Sequence, residues 1–242
     1  MNRFFIKHKL DIFDITHLSD SDSEFAINQL KVKVEDVVEI ETYEAIYLAI
    51  VTDISKNSVE VEIREKISVK SKEDNFDITI LQSLIGKNKF NVFLEKSVEI
   101  GIDRIIPVET QYSLINKNKA LKEYGLWRKI VNDATEQSRN IKPTVIEKPI
   151  NLKDLTINDI ENRVCLCTEN VQSQPLREYI QGVDIKKSFI IAIGPEKGWS
   201  SKDIQFFKAL DFKFVKLEGN ILRTETVGLV IGSIIKYLKG EI

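Results

Sequence analysis

Ile190-Ile191-Ala192-Ile193-Gly194-Pro195-Glu196-Lys197-Gly198-Trp199-Ser200 is the stretch on which the fold turns. The run from Ser188 to Ile193 is apolar almost throughout, the pattern of a strand buried on both faces of a sheet. A glycine–proline turn follows. Ser200 then offers an N-cap, with Asp203 three residues on, so a capping box opens a helix over Ser201–Leu210. Gly194 and Gly198 let a ligand approach the backbone closely, although an ordinary strand-to-helix turn uses the same residues. The spacing matches neither a Walker loop nor a Rossmann fingerprint, so a nucleotide phosphate is not implied.

Outward from this stretch, strands and helices alternate. Strands are expected over Phe76–Leu84, Ile102–Val108 (ended near Pro107), Val164–Cys167 and Phe214–Leu217. Helices are expected over Asn88–Ile100, Lys117–Arg139, Leu176–Ile180 and Thr224–Leu238. Gly101 is placed to terminate the first of these helices. Such alternation predicts a largely parallel sheet covered on both faces, an α/β domain. In that architecture ligands bind beyond the carboxyl ends of the strands, where strand order switches. Three strand ends therefore matter: Gly194–Ser200, Leu217-Glu218-Gly219-Asn220-Ile221-Leu222-Arg223-Thr224-Glu225-Thr226, and Cys167-Thr168-Glu169-Asn170. Thr224 is a candidate cap for the last helix, flanked by Arg223 and Glu225.

The first 70 or so residues read differently. Arg3–Ile6, Val37–Ile40, Ala45–Val51 and Val59–Ile63 are short and β-branched-rich, and a short helix is expected over Phe25–Leu30. So many short strands in so small a span predict a compact barrel. The polar run from Val69 to Asn75 marks the boundary, giving domains 1–72 and 73–242. With 43% hydrophobic and 30% charged residues, the 242-residue chain has the composition of a globular protein and not of a disordered one. Net charge is −2, but residues 1–80 carry 10 Lys+Arg against 17 Asp+Glu and the remainder 25 against 20. The two parts thus present different surfaces. Neither a transmembrane run nor a signal peptide is expected, which makes the cytoplasm the default compartment and a membrane partner unexpected. Cys165 and Cys167 read as reduced, buried thiols on one strand face. With His8 and His17 far off in sequence, no metal site is expected.

Taken together, Gly194-Pro195-Glu196-x-Gly198 and Ile221-Leu222-Arg223-Thr224-Glu225-Thr226 are far more specific than either alone. They resemble the motifs of the ribosomal RNA small subunit methyltransferase E family, SPOUT-class enzymes that methylate N3 of a uridine in 16S rRNA. Arg3-Phe4-Phe5, Glu95-Lys96-Ser97-Val98-Glu99-Ile100-Gly101 and Glu136-Gln137-Ser138-Arg139 resemble further family segments in the same order. Departures occur at Lys197 and Glu218, where the family has glycine, and at Asn220, where it has arginine. A positive φ at position 197 would strain lysine.

The resemblance implies an N-terminal PUA-like β-barrel that binds RNA and a C-terminal SPOUT α/β domain with a trefoil knot. It also implies a homodimer, and S-adenosyl-L-methionine as cofactor. It assigns the cofactor to Glu169, Ile193, Gly194, Gly198, Leu217, Gly219, Ile221, Leu222 and Thr224. Catalysis is assigned to Arg223 with Glu225 as its orienting partner or as proton acceptor, and RNA contact to Arg3, Lys31, Arg128, Arg139 and Lys197. Trp199 is a candidate base-stacking residue, or else a packed aromatic at a helix start. A catalytically weak RNA-binding or ribosome-assembly protein on the same fold, or a methyltransferase of another RNA, are the competing readings.

Overall fold

In the computed structural model the chain divides into two units, Met1–Asp74 and Asn75–Ile242. The structure describes residues 2–42, 44–55, 57–69, 76–138, 140, 142–157, 160–167 and 173–242.

The first unit contains β1 (Arg3–Phe5), β2 (Ile15–His17), α1 (Asp20–Asn28), β3 (Val37–Glu41), β4 (Ala45–Ser55) and β5 (Ser58–Val69). They form a mixed sheet in the order β1-β3-β4-β5-β2, with β1 parallel to β3 and the other pairs antiparallel. Register shifts along the β4–β5 ribbon, between Ile46/Tyr47, Leu48/Ala49 and Val51/Asp53, add bend and twist. The curled sheet encloses Phe4, Ile40, Val61 and Ile63. Its strands form an open path instead of a closed ring. β1 and β2 have three residues each and stand at opposite ends without pairing to one another among the described residues. Helix α1 begins earlier than the apolar pattern indicates. Ser19 caps it by accepting from the Asp22 amide, and Asp20 and Asp22 suit the positive helix start.

The second unit runs β6 (Ile78–Ser83), α2 (Lys87–Ile100), β7 (Arg104–Glu109), α3 (Lys117–Ser138), β8 (Val145–Ile146), β9 (Ile150–Asn151), β10 (Asn162–Leu166), β11 (Gln174–Pro175), α4 (Leu176–Gln181), β12 (Phe189–Ile193), α5 (Ser201–Ala209), β13 (Lys213–Lys216) and α6 (Thr224–Lys239). The sheet is parallel, in the order β11-β13-β10-β12-β6-β7-β8, with β9 also on β7.

Alternation along β12 sends Phe189, Ile191 and Ile193 into one core, and Ile190 and Ala192 into the other. The first core is closed by α2, α3, α4 and α6, through residues such as Phe93, Trp127, Tyr179 and Ile231. The second is closed by α5 through Phe207. Pro107 does not end its strand. It pairs with Gln82 inside β7, and its missing N–H coincides with the gap between β8, whose pairing with β7 stops at Ile105, and β9, whose pairing with β7 starts at Val108.

Candidate active site

β10, β12 and β13 lie side by side, so the turns after them share one edge of the sheet. A crevice of about 1030 Å³ opens there. Its walls include Ile193, Gly194 and Gly198 from the turn after β12, and Leu217, Gly219, Ile221, Leu222, Arg223 and Thr224 from the segment after β13. Leu166 and Cys167 from the end of β10 complete them.

The turn after β12 is braced by backbone and aromatic contacts. The Gly198 amide donates to the Pro195 carbonyl at 2.9 Å, and Gly198 adopts φ 70. Lys197 is not among the residues with positive φ, so the left-handed position falls on the glycine and lysine is unstrained. The Trp199 indole N–H donates to the Leu166 carbonyl at 2.7 Å, and its ring packs edge-on against Phe207 at 4.8 Å. The tryptophan is thereby committed to the turn. A Cβ at Gly194 would lie 3.1 Å from that indole, a tight contact that glycine avoids. Ser200 and Asp203 form the reciprocal capping box at the start of α5.

The segment after β13 is glycine-hinged at Gly219 (φ 109), and Ile221 is 88% exposed. The cap of α6 is Arg223, without a side-chain capping bond, and not Thr224. The Thr224 hydroxyl instead donates to the Gly194 carbonyl at 2.6 Å and accepts from Gln82 Nε2 at 3.2 Å. This one side chain joins the ends of β6 and β12 to the start of α6.

Arg223 is exposed at the crevice and makes no ion pair among the described residues. Glu225 makes no ion pair with it among the described residues. Glu225 is not among the residues lining the crevice, and its Oε2 is buried with no hydrogen-bond partner among the described residues. Cys165 is fully buried, which pushes its thiol well above the usual thiol range and keeps it protonated.

Glu169 and Arg139 lie outside the described residues. The other RNA-contact candidates are spread over the chain. Arg3 is held by Glu39 at 2.6 Å and Glu41 at 3.5 Å. Lys31 is exposed with φ 53, Arg128 is exposed on α3, and Lys197 is exposed outside the crevice lining.

Sequence reading missed Lys89 and Lys208, which line the crevice from α2 and α5. The signal for Lys89 was present: the first turn of α2 holds two lysines and no acid.

The family described as RNA methyltransferase domain matches residues 72–236. The chain is 30% identical to the ribosomal RNA small subunit methyltransferase E of Aquifex aeolicus, over 78% of this chain and 80% of that protein. It is 28% identical to the protein of that name from Buchnera aphidicola, over 99% and 94%. In three dimensions it resembles the crystal structure of a ribosomal RNA small subunit methyltransferase E from Neisseria gonorrhoeae bound to S-adenosyl methionine. The TM-score is 0.74, with 24% identity and 98% of each chain covered. The parallel sheet with its edge crevice is thus an RNA methyltransferase domain. Within that class, the chain belongs to the ribosomal RNA small subunit methyltransferase E family.

Proposed function

We propose that this protein transfers a methyl group from S-adenosylmethionine to N3 of a uridine in the 16S rRNA of the small ribosomal subunit. The observation that carries the reading is the convergence of the two sequence motifs on one crevice, with Arg223, which makes no ion pair among the described residues, at its edge. The names of the relatives supply the substrate class.

The crevice fits the cofactor. Ile193, Leu217 and Leu222 offer apolar walls for a purine ring. Gly194, Gly198 and Gly219 keep side chains out of the space, and its volume is at the top of the range for small-molecule sites, roughly 300–1,000 Å³. Ile221 and the backbone around Thr224 complete the cofactor contacts, and Glu169 is assigned a ribose hydroxyl on the resemblance alone. When bound, S-adenosylmethionine supplies an electrophilic methyl group on a sulfonium sulfur.

The protein's part is first positioning. N3 lies on the pairing edge of uridine, so the base must be unpaired before the crevice can take it. As N3 loses its proton, negative charge spreads to the flanking carbonyl oxygens. The Arg223 guanidinium, which makes no ion pair among the described residues, would stabilise that charge. Glu225 is the proposed orienting partner of Arg223 or the acceptor of the N3 proton.

The finer architecture belongs to the same proposal. The strongly bent sheet of the first unit is read as a PUA-like barrel that binds RNA, with the boundary at residues 72/73. The segments after β12 and β13 are read as the loops of a trefoil knot, and the protein as a cytoplasmic homodimer. Arg3, Lys31, Arg128, Arg139 and Lys197 are the proposed RNA contacts.

The test separates binding from chemistry. In Arg223→Ala, S-adenosylmethionine affinity by calorimetry is expected to stay within a few-fold of wild type. Transfer of labelled methyl to unmodified 30S particles is expected to fall about 10²–10³-fold. Unchanged transfer removes Arg223 from the chemistry, and label found only in tRNA or protein defeats the substrate assignment.

A further inference from the structure

Helix α2 starts against the usual charge preference. The positive end of a helix disfavours cations, yet its first turn carries Lys87 and Lys89, no acid and no side-chain cap. Both lysines are used elsewhere. Lys87 Nζ lies 2.8 Å from Glu123 on α3, and Lys89 pairs with Glu196, 107 residues away in the turn after β12. Lys89 and Glu196 both line the crevice, so their ion pair ties α2 to the tip of one crevice wall.

The other restraints on that turn act elsewhere on it. Thr224 holds the Gly194 carbonyl, the Trp199 indole holds the Leu166 carbonyl, and the Gly198–Pro195 bond closes the turn on itself. Gly198, at positive φ, adds no side chain to brace the tip. Glu196 ties the tip to α2 through an ion pair that is about two-fifths exposed on each side.

We infer that Lys89 is a positioning residue for the cofactor: by holding Glu196 it fixes the tip of the 194–198 turn and hence the shape of the wall that receives the adenosyl group. The occupant rests on the proposed methyltransferase reading; the tie itself does not. An exposed pair holds weakly and is screened by salt, so the effect is modest and salt-sensitive.

The experiment uses the full chain with Lys89→Met, Glu196→Gln and the charge-swapped double variant K89E/E196K. The chain has two tryptophans, and Trp127 is fully buried, so acrylamide quenching without cofactor reports on Trp199 in the turn. Each single variant is expected to raise quenching and to weaken S-adenosylmethionine binding about two- to five-fold, with the thermal midpoint unchanged. Wild-type affinity is expected to fall between about 0.1 and 1 M salt, where the screening length drops from about 10 to 3 Å, and the single variants to lose that dependence. The swap restores both affinity and salt response.

Wild-type quenching and affinity in Lys89→Met overturns the inference. So does tighter binding, which would mean that the freed Glu196 attracts the cationic cofactor. If wild type does not bind S-adenosylmethionine at all, the methyltransferase reading fails, while quenching still decides the tie.

Discussion

Thr224 carries more of the site's geometry than its place beside Arg223 suggests. Its hydroxyl donates to one element and accepts from another, so Thr224→Val takes this donor from the Gly194 carbonyl at a part-buried junction and leaves the Gln82 amide nitrogen with its bond to the Ser83 carbonyl. A buried group so orphaned costs about 1–3 kcal/mol. Thr224→Val is therefore expected to lower stability by about that much in denaturant titration and to weaken cofactor binding. Thr224→Ser should keep most of both, since it retains the oxygen. Neighbouring positions behave less predictably from local rules. Glu225 reads as an orienting partner of Arg223 or a proton acceptor, yet one carboxylate oxygen is buried with no hydrogen-bond partner among the described residues. Spacing on a helix fixes the face a residue occupies, and the packing of the other elements decides what that face meets.

Among the elements, α6 shows the cost of close packing most plainly. Gly228 and Gly232 lie four apart on its buried face. A Cβ at Gly228 would come within 2.8 Å of Phe93 Cε2 and 2.9 Å of Ile193 Cδ1, and one at Gly232 within 2.6 Å of Ile102 Cδ1. Replacing a mid-helix glycine by alanine gains up to about 1 kcal/mol of helix propensity. Overpacking a core costs about 1–3 kcal/mol. Gly228→Ala meets a rigid ring and a second side chain at once, so it is expected to destabilise by about 1–2 kcal/mol net. Gly232→Ala meets only the end of one isoleucine and should be nearly neutral. Comparing the two midpoints in thermal unfolding checks the order. Should Gly228→Ala be the more stable of the pair, the packing argument fails.

At the scale of the whole molecule, each unit has its own apolar interior. Phe4, Ile40 and Ile63 belong to the core of the first, and Ile80, Phe93 and Ile231 to the larger core of the second. Scanning calorimetry is expected to resolve two transitions. Ile40→Ala, at a fully buried position, should cost about 2–5 kcal/mol and lower only one of them. A single transition that moves as a whole under that substitution would mean that the units unfold together.

The sequence by itself determined most elements of the second unit and the place of its crevice. Buried parallel strands are unbroken apolar runs, helix starts carry caps such as Ser200 with Asp203, and ligands in this architecture sit at strand ends. These are local patterns, and one chain displays them. Tertiary structure alone decided that β10 lies between β12 and β13, which brings the turns that begin at Cys167, Gly194 and Leu217 to one crevice. It also decided that Thr224 binds Gly194 instead of capping its own helix, that Pro107 falls in a gap between two short strands, and that Lys89 reaches Glu196. Each of these depends on which distant segments become neighbours, and sequence spacing carries no record of that.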